Sequence, residues 1–286
     1  LTTLNPRLNA FRPDIADSRL KGKIDAERFV DGRAARIAVP VANVRRKPDS
    51  HSGLDTQLLM GDDVSVFEMR EGWAWVQAAR DGYVGYVNVG SLTDRHDTAT
   101  HVVTAPRTFV YAGADLRFPQ VEALSMGCAV TVVGEAETRG TRFAMLASGE
   151  ALIEKHLRPV AERLDDFVSV AETFLNTPYL WGGTSGFGID CSGLVQLSMR
   201  LCGADVLRDT DIQEQSIGSP LDAGVGLQNV RRGDLVFWKG HVAIMTDAEN
   251  MIHANGHTML VSHERLHDAI ERIGYLYGQP TSFRRV

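Results

Sequence analysis

GIDCSGLVQLSMRLCG, residues 188–203, reads as a turn that becomes a helix with a cysteine at its opening. The apolar run after Cys191 ends at Gly203, a helix stop. Just upstream, YLWGGTSGFG (179–188) carries four glycines, so Cys191 comes off a flexible turn onto a helix start. There the unpaired N–H groups and the positive end of the dipole are expected to stabilise a thiolate, below the roughly 8.5 of a free thiol. The same N–H groups suit an oxyanion. A cysteine taken at random is more often a small core residue; its position after four glycines and before a helix reverses that reading for Cys191. Cys202, at the helix end among apolar neighbours, and Cys128, inside a strand pattern, keep it.

Working outward, DDFVSVAETFLN (165–176) has apolar residues at helical spacing and stops before Pro178. Downstream, DLVFW, HVAIMTD, NMIHANG and MLVSHE (234–264) read as four strands. Helices first and strands later predict an α+β domain. A cysteine nucleophile needs a base, usually histidine, and the base needs an orienting group. Of nine histidines, His241 and His253 fall within these strands, and Gly240 leaves room for a substrate beside His241. Strand parity makes a condition of this. An odd number of loop residues between the two strands puts both histidines on one face of the hairpin, an even number puts them on opposite faces; the odd case, or a bulge with the same effect, is expected. A metal is disfavoured: His253 and His257 are separated by a turn-like Asn255-Gly256, and no third ligand stands at zinc-site spacing.

Upstream, residues 1–33 are polar and irregular and read as an arm on the rest of the molecule, with a short helix in IADSRLKGKIDAERFV (15–30). Residues 34–95 alternate Val, Phe, Trp and Tyr with period two, broken by Glu71-Gly72 and Asp81-Gly82, the signature of meandering β-structure. Residues 96–160 repeat the layout in weaker form, TQLLMGDDVSV (56–66) answering to VEALSMGCAVTV (121–132), so two small β-barrels in tandem are expected.

The 286 residues suit two or three domains, and a net charge of −6 argues against a nucleic-acid surface. Three cysteines are no disulfide framework. No apolar stretch approaches the ~18 residues of a membrane span, so no membrane insertion is expected. No leader pattern is visible, which favours the cytoplasm, although the chain opens on a Leu and an earlier segment stays possible.

These motifs carry a resemblance. TPYLWGG (177–183), GIDCSGLVQ, RDTDIQEQ (208–215), VRRGDLVFW (230–238), GHVAIM and MIHANG follow the order of the NlpC/p60-type papain-like cysteine peptidases, which cut bacterial cell-wall peptides; the resemblance covers residues 161–286. ANVRRKP, MGDDVSV, GWAWV and DGYVGYV resemble a bacterial SH3-like domain, and 96–160 resembles a degenerate copy. The implied architecture is α+β: two small SH3-like β-barrels followed by a papain-like α+β catalytic domain. The resemblance implies Cys191 as nucleophile, His241 as base, His253 as the orienting member and Tyr179 as an aid to the oxyanion.

SH3-like domains ahead of such a catalytic domain resemble the γ-D-glutamyl-L-diamino acid endopeptidases. This implies a substrate of L-Ala-γ-D-Glu-diamino acid stem peptides from peptidoglycan with a free N-terminal L-Ala, and no cofactor. A buried ammonium demands a carboxylate, and Asp190 matches the family acid. Ser192 and Trp181 match substrate-contacting positions, and Thr210 stands where the family often has Ser. In the first SH3-like domain Tyr83 fits a pocket-wall tyrosine. Asp55 is either a displaced substitute for the family's pocket acid or a loop-tip aspartate in a turn. Two other readings stay open: a wall-peptide binding module with an inactive catalytic domain, and an amidase or acyltransferase of the same fold.

Overall fold

Alternation along Trp73–Ala78 decides the first half of the chain. Ala74, Val76 and Ala78 point into a core shared with Ala35, Ile37, Val44, Val64, Val66 and Val87, while Trp75 turns to the other face against Phe67. The computed structural model describes residues 4–95 and 97–286, which divide into two units between Glu162 and Arg163.

In the first unit, β1 (Arg33–Ile37), β2 (Val41–Arg45), β3 (Leu54–Leu59), β4 (Asp63–Arg70), β5 (Trp73–Ala78), β6 (Val84–Asn88) and β7 (Leu92–Thr93) form an antiparallel sheet in the order β3-β2-β6-β5-β4-β1-β7. The β4–β5 hairpin turns on two residues, Glu71 (φ 52°) and Gly72 (φ 82°), the primed turn whose twist matches the strands. The arm lies on this sheet as expected: Ala10 and Ile15 are buried against Phe67 and Trp75, and Arg12 stacks 4.5 Å from the Trp75 ring. Its helix is shorter than the sequence suggests, a single 3-10 turn at Ser18–Leu20, because Ala16–Asp17 pairs instead with Phe29–Val30.

Next come β8 (His101–Val103), β9 (Arg107–Tyr111), β10 (Gln120–Ser125), β11 (Ala129–Val130), β12 (Val132–Thr138), β13 (Thr141–Leu146), β14 (Ala151–Ile153) and β15 (Leu157–Pro159). Their pairing repeats that of the first set: β9 with β10 and β14, β12 with β13, β13 with β14, β8 with β11 and β15. The likeness extends to single backbone bonds. Gly61 N–H donates to Ile37 O and Gly127 N–H to Val103 O, both at 2.9 Å. Arg139 and Gly140 make the same two-residue turn as Glu71 and Gly72.

The second unit opens with α1 (Phe167–Glu172), α2 (Cys191–Leu201) and α3 (Thr210–Ser216). A six-stranded antiparallel sheet follows, built from β16 (Ser219–Pro220), β17 (Leu235–Trp238), β18 (His241–Met245), β19 (Asn250–Asn255), β20 (Leu260–Arg265) and β21 (Ser282–Arg285), in the order β16-β21-β17-β18-β19-β20. Helix α4 (Leu266–Tyr277) lays Leu266, Ala269 and Ile273 on Trp238, Ala243, Met245 and Met251. Neither α4 nor β21 was among the expected elements, although LHDAIERIGYLY spaces its apolar residues three and four apart. Helix α2 is almost wholly buried and sits on β18 and β19.

Candidate active site

Cys191 is the first residue of α2, and two glycines explain how the helix start reaches its place. A Cβ on Gly193 would run into the carbonyl oxygen of Gly183, and one on Gly183 into that of Gly188. Only bare backbone lets the glycine-rich turn close over the helix end. Asp190 caps the helix, its Oδ1 accepting from Gly193 N–H at 2.8 Å. The thiol is 7 % exposed. It accepts from the N–H of Val242 and lies 3.8 Å from the hydroxyl of Thr210, the first residue of α3.

His241 opens β18 next to Val242. Ile244 of β18 pairs with Ile252 of β19 and Met245 with Met251, so five residues, 246–250, lie between the last paired positions. That odd count puts His241 and His253 on one face. Their rings meet, His241 Nε2 to His253 Nδ1 at 2.9 Å, and the buried ring of Trp238 tilts against His241. Gly240 has a reason other than substrate room. Trp238 pairs with His241, so Lys239-Gly240 is a two-residue turn, and Gly240 adopts φ 77°.

Burial works against the thiolate that the helix start favours. Burial first, then the charge of Asp190, pushes the Cys191 thiol up to about 11, against the opposing pull of Val242 N–H, Thr210 and Arg208. Burial likewise drives His241 down to about 3, with His253 and Arg272 adding to it. Desolvation here works against the helix terminus, favouring the neutral thiol and the neutral imidazole. Tyr179 is half-buried and raised by burial and by the neighbouring Cys191 and Asp190, so its phenol stays protonated and able to donate.

Asp190 is tied in on several sides. Besides Gly193 N–H, its oxygens accept from Gly182 N–H at 2.9 Å, from Ser192 Oγ at 3.3 Å and from Arg208 at 2.7 Å. Four bonds reach the carboxylate, which caps α2 and pairs with Arg208. Ser192, too, is buried and held by Arg208 at 2.6 Å. Trp181, by contrast, is 71 % exposed.

Asp55 and Tyr83 belong to the first unit. Asp55 lies inside β3, not at a loop tip, and Arg46 takes its carboxylate at 2.7 Å. Tyr83 is buried in the core of the first sheet, with Val87 and Leu8.

Residues the sequence reading passed over hold this site together. Arg208 stood inside a quoted motif without a role, yet it ties Asp190 and Ser192 to one buried guanidinium. Gln213 on α3 donates to Ser192 O and Leu207 O. Glu264 lies 3.1 Å from His253 Nε2 and is clamped by Arg272. Only Glu264 had a signal in the sequence: it ends a strand in period with a histidine-bearing neighbour. Among the described residues no cluster of histidine, cysteine and acidic groups stands ready for a metal.

Residues 44–92 match the bacterial dipeptidyl-peptidase SH3 domain and residues 176–272 the NlpC/P60 family. The chain is 31 % identical over 241 residues to dipeptidyl-peptidase 6 of Lysinibacillus sphaericus, spanning 77 % of this chain and 87 % of that protein. It is 27 % identical over 233 residues to a gamma-D-glutamyl-L-lysine dipeptidyl-peptidase of Bacillus cereus, spanning 70 % and 67 %. The crystal structure of an NlpC/P60 family protein from Bacillus cereus shares the fold, with a TM-score of 0.72 at 23 % identity over 88 % of this chain and 99 % of that one.

Proposed function

Because the chain belongs to the NlpC/P60 family and is a cysteine peptidase, we propose that it cleaves the bond between γ-D-Glu and the diamino acid in short peptidoglycan stem peptides. Two similar proteins are named for such a γ-D-glutamyl bond, and the similarity runs through the SH3 domain as well as the peptidase domain. The observation that carries the chemistry is the 2.9 Å bond from His241 Nε2 to His253 Nδ1 beside a buried thiol at a helix start.

In this reading Cys191 Sγ attacks the γ-carbonyl carbon as its proton passes to His241 Nδ1, the ring nitrogen that His253 leaves unused. The Cys191 N–H and the Tyr179 hydroxyl stabilise the oxyanion. His241 returns the proton to the departing amine, and water then hydrolyses the thioester, releasing L-Ala-γ-D-Glu. Thr210 steadies the sulfur, and Trp181 offers an exposed ring to the peptide. The free N-terminal amine is the finer half of the proposal, with Asp190 the acid beside the nucleophile that would receive it. We also infer that residues 96–160 are a second, divergent SH3-like barrel, on the strength of the shared pairing.

The test is mass spectrometry of products from L-Ala-γ-D-Glu-diaminopimelate, with and without an N-terminal acetyl group. Release of L-Ala-γ-D-Glu by the wild type and its loss in Cys191→Ala are expected. Equal cleavage of both peptides would remove the amine requirement, and cleavage by the alanine variant would remove the nucleophile.

A further inference from the structure

The polar row that begins at His241 does not end at His253. His253 Nδ1 meets His241 Nε2 in a 2.9 Å hydrogen bond, and its Nε2 lies 3.1 Å from Glu264 Oε2, a charge contact short of hydrogen-bond geometry. The sheet register builds this row. His253 pairs with Ser262, and Glu264 pairs with Met251, so Glu264 is the diagonal neighbour of His253 on the same face. Arg272 on α4 then grips both oxygens of Glu264, at 2.8 and 2.6 Å. The charged and titratable groups facing His253 are thus His241, Glu264, Arg272 and His257.

We propose that Glu264 is a positioning residue that fixes the tautomer of both histidines and thereby aims a lone pair of His241 at the thiol. The proposal rests on the assignment of Cys191, His241 and His253 given above. A carboxylate held ionised by Arg272 can only accept. His253 must therefore carry its proton on Nε2, which leaves its Nδ1 a lone pair. His241 must then carry its proton on Nε2 to donate to that lone pair, and its Nδ1 is left as the base. The opposite arrangement would set a ring lone pair against the carboxylate and put a proton on Nδ1 of His241, where the thiol needs an acceptor. During attack the Sγ–H bond breaks and a proton joins His241 Nδ1 as the Sγ–C bond forms. The two Nε2 protons stay where they are, and Glu264 takes none.

Long-range proton–nitrogen correlation spectra of the resting protein, labelled at histidine nitrogen, read the tautomers without any turnover. At pH 7 both His241 and His253 are expected as Nε2–H forms; either ring found as Nδ1–H overturns the proposal. In Glu264→Gln, Arg272 claims the amide oxygen and turns the NH₂ toward His253, which reverses the row. Both rings are expected to become Nδ1–H, with kcat lowered about 10²- to 10⁴-fold and KM within about twofold, as when the aspartate of a serine-protease triad becomes asparagine. Glu264→Asp keeps the tautomers and recovers part of kcat. Unchanged tautomers in Glu264→Gln overturn the proposal, whether or not kcat falls. Product release by Cys191→Ala would sink the nucleophile assignment separately, since the tautomer spectra do not depend on it.

Discussion

Arg208 and Asp190 form an ion pair of 2.7 Å at the nucleophile's helix, with side-chain exposures of only 1 % and 12 %. The pair sets the geometry of the site because each member has a second duty. Asp190 caps α2, and Arg208 holds the hydroxyl of Ser192. Removing one partner strands the other charge in a dry interior. Arg208→Met should therefore cost about 3–5 kcal/mol of stability, as broken buried pairs do. The double variant Arg208→Met with Asp190→Asn should lose less than Arg208→Met alone. Urea unfolding followed by circular dichroism measures both; a double variant weaker than the single would refute the pairing.

The thiol's protonation is open to a direct reading. With Cys191 held neutral up to about 11 by burial and by Asp190, alkylation by iodoacetamide should be slow at pH 6 to 8. Its rate should climb about tenfold per pH unit through that range and beyond it, because only the thiolate reacts. Fast, pH-independent labelling at pH 6 would mean a preformed thiolate–imidazolium pair instead.

Glu264 links stability to pH in the opposite direction from a raised group. Burial opposes ionisation, but Arg272 and His253 prevail and hold the carboxyl at about 2, below its ordinary 4.5. A depressed acid contributes stability that is complete above pH 4.5 and is lost as pH falls toward 2. Chemical denaturation between pH 3 and 6 should show this loss in the wild type. In Glu264→Gln the slope should be shallower; an unchanged slope would place the titration elsewhere.

Gly193→Ala tests the close approach behind the nucleophile. Its methyl group meets the Gly183 carbonyl, which is backbone and has no rotamer with which to yield. A destabilisation of about 1–3 kcal/mol is expected from such overpacking, together with loss of activity as Cys191 shifts. Retained activity would show that the turn can move aside.

How much of this was legible in the sequence depended on the range of the interaction. Period-two runs such as Trp73–Ala78 and the turn Glu71-Gly72 act over a few residues and were read directly. The meeting of His241 and His253 was readable as well, because a hairpin converts loop length into a face. Arg208, Gln213 and Arg272 act across distant elements, and nothing in their neighbours' spacing tells which buried group each will reach. The burial that opposes ionisation of Cys191 was not legible for the same reason. A helix start is a local signal, whereas desolvation is the sum of everything packed around the thiol.

The five residues between the paired Met245 and Met251 carry a rule for how this chain can change its length. One residue added or removed there, at the surface, would turn His253 to the far side of the sheet and away from His241. Two residues added would restore it. Relatives that keep both histidines should therefore differ at this loop in even steps, and odd steps should appear only where a bulge restores the register.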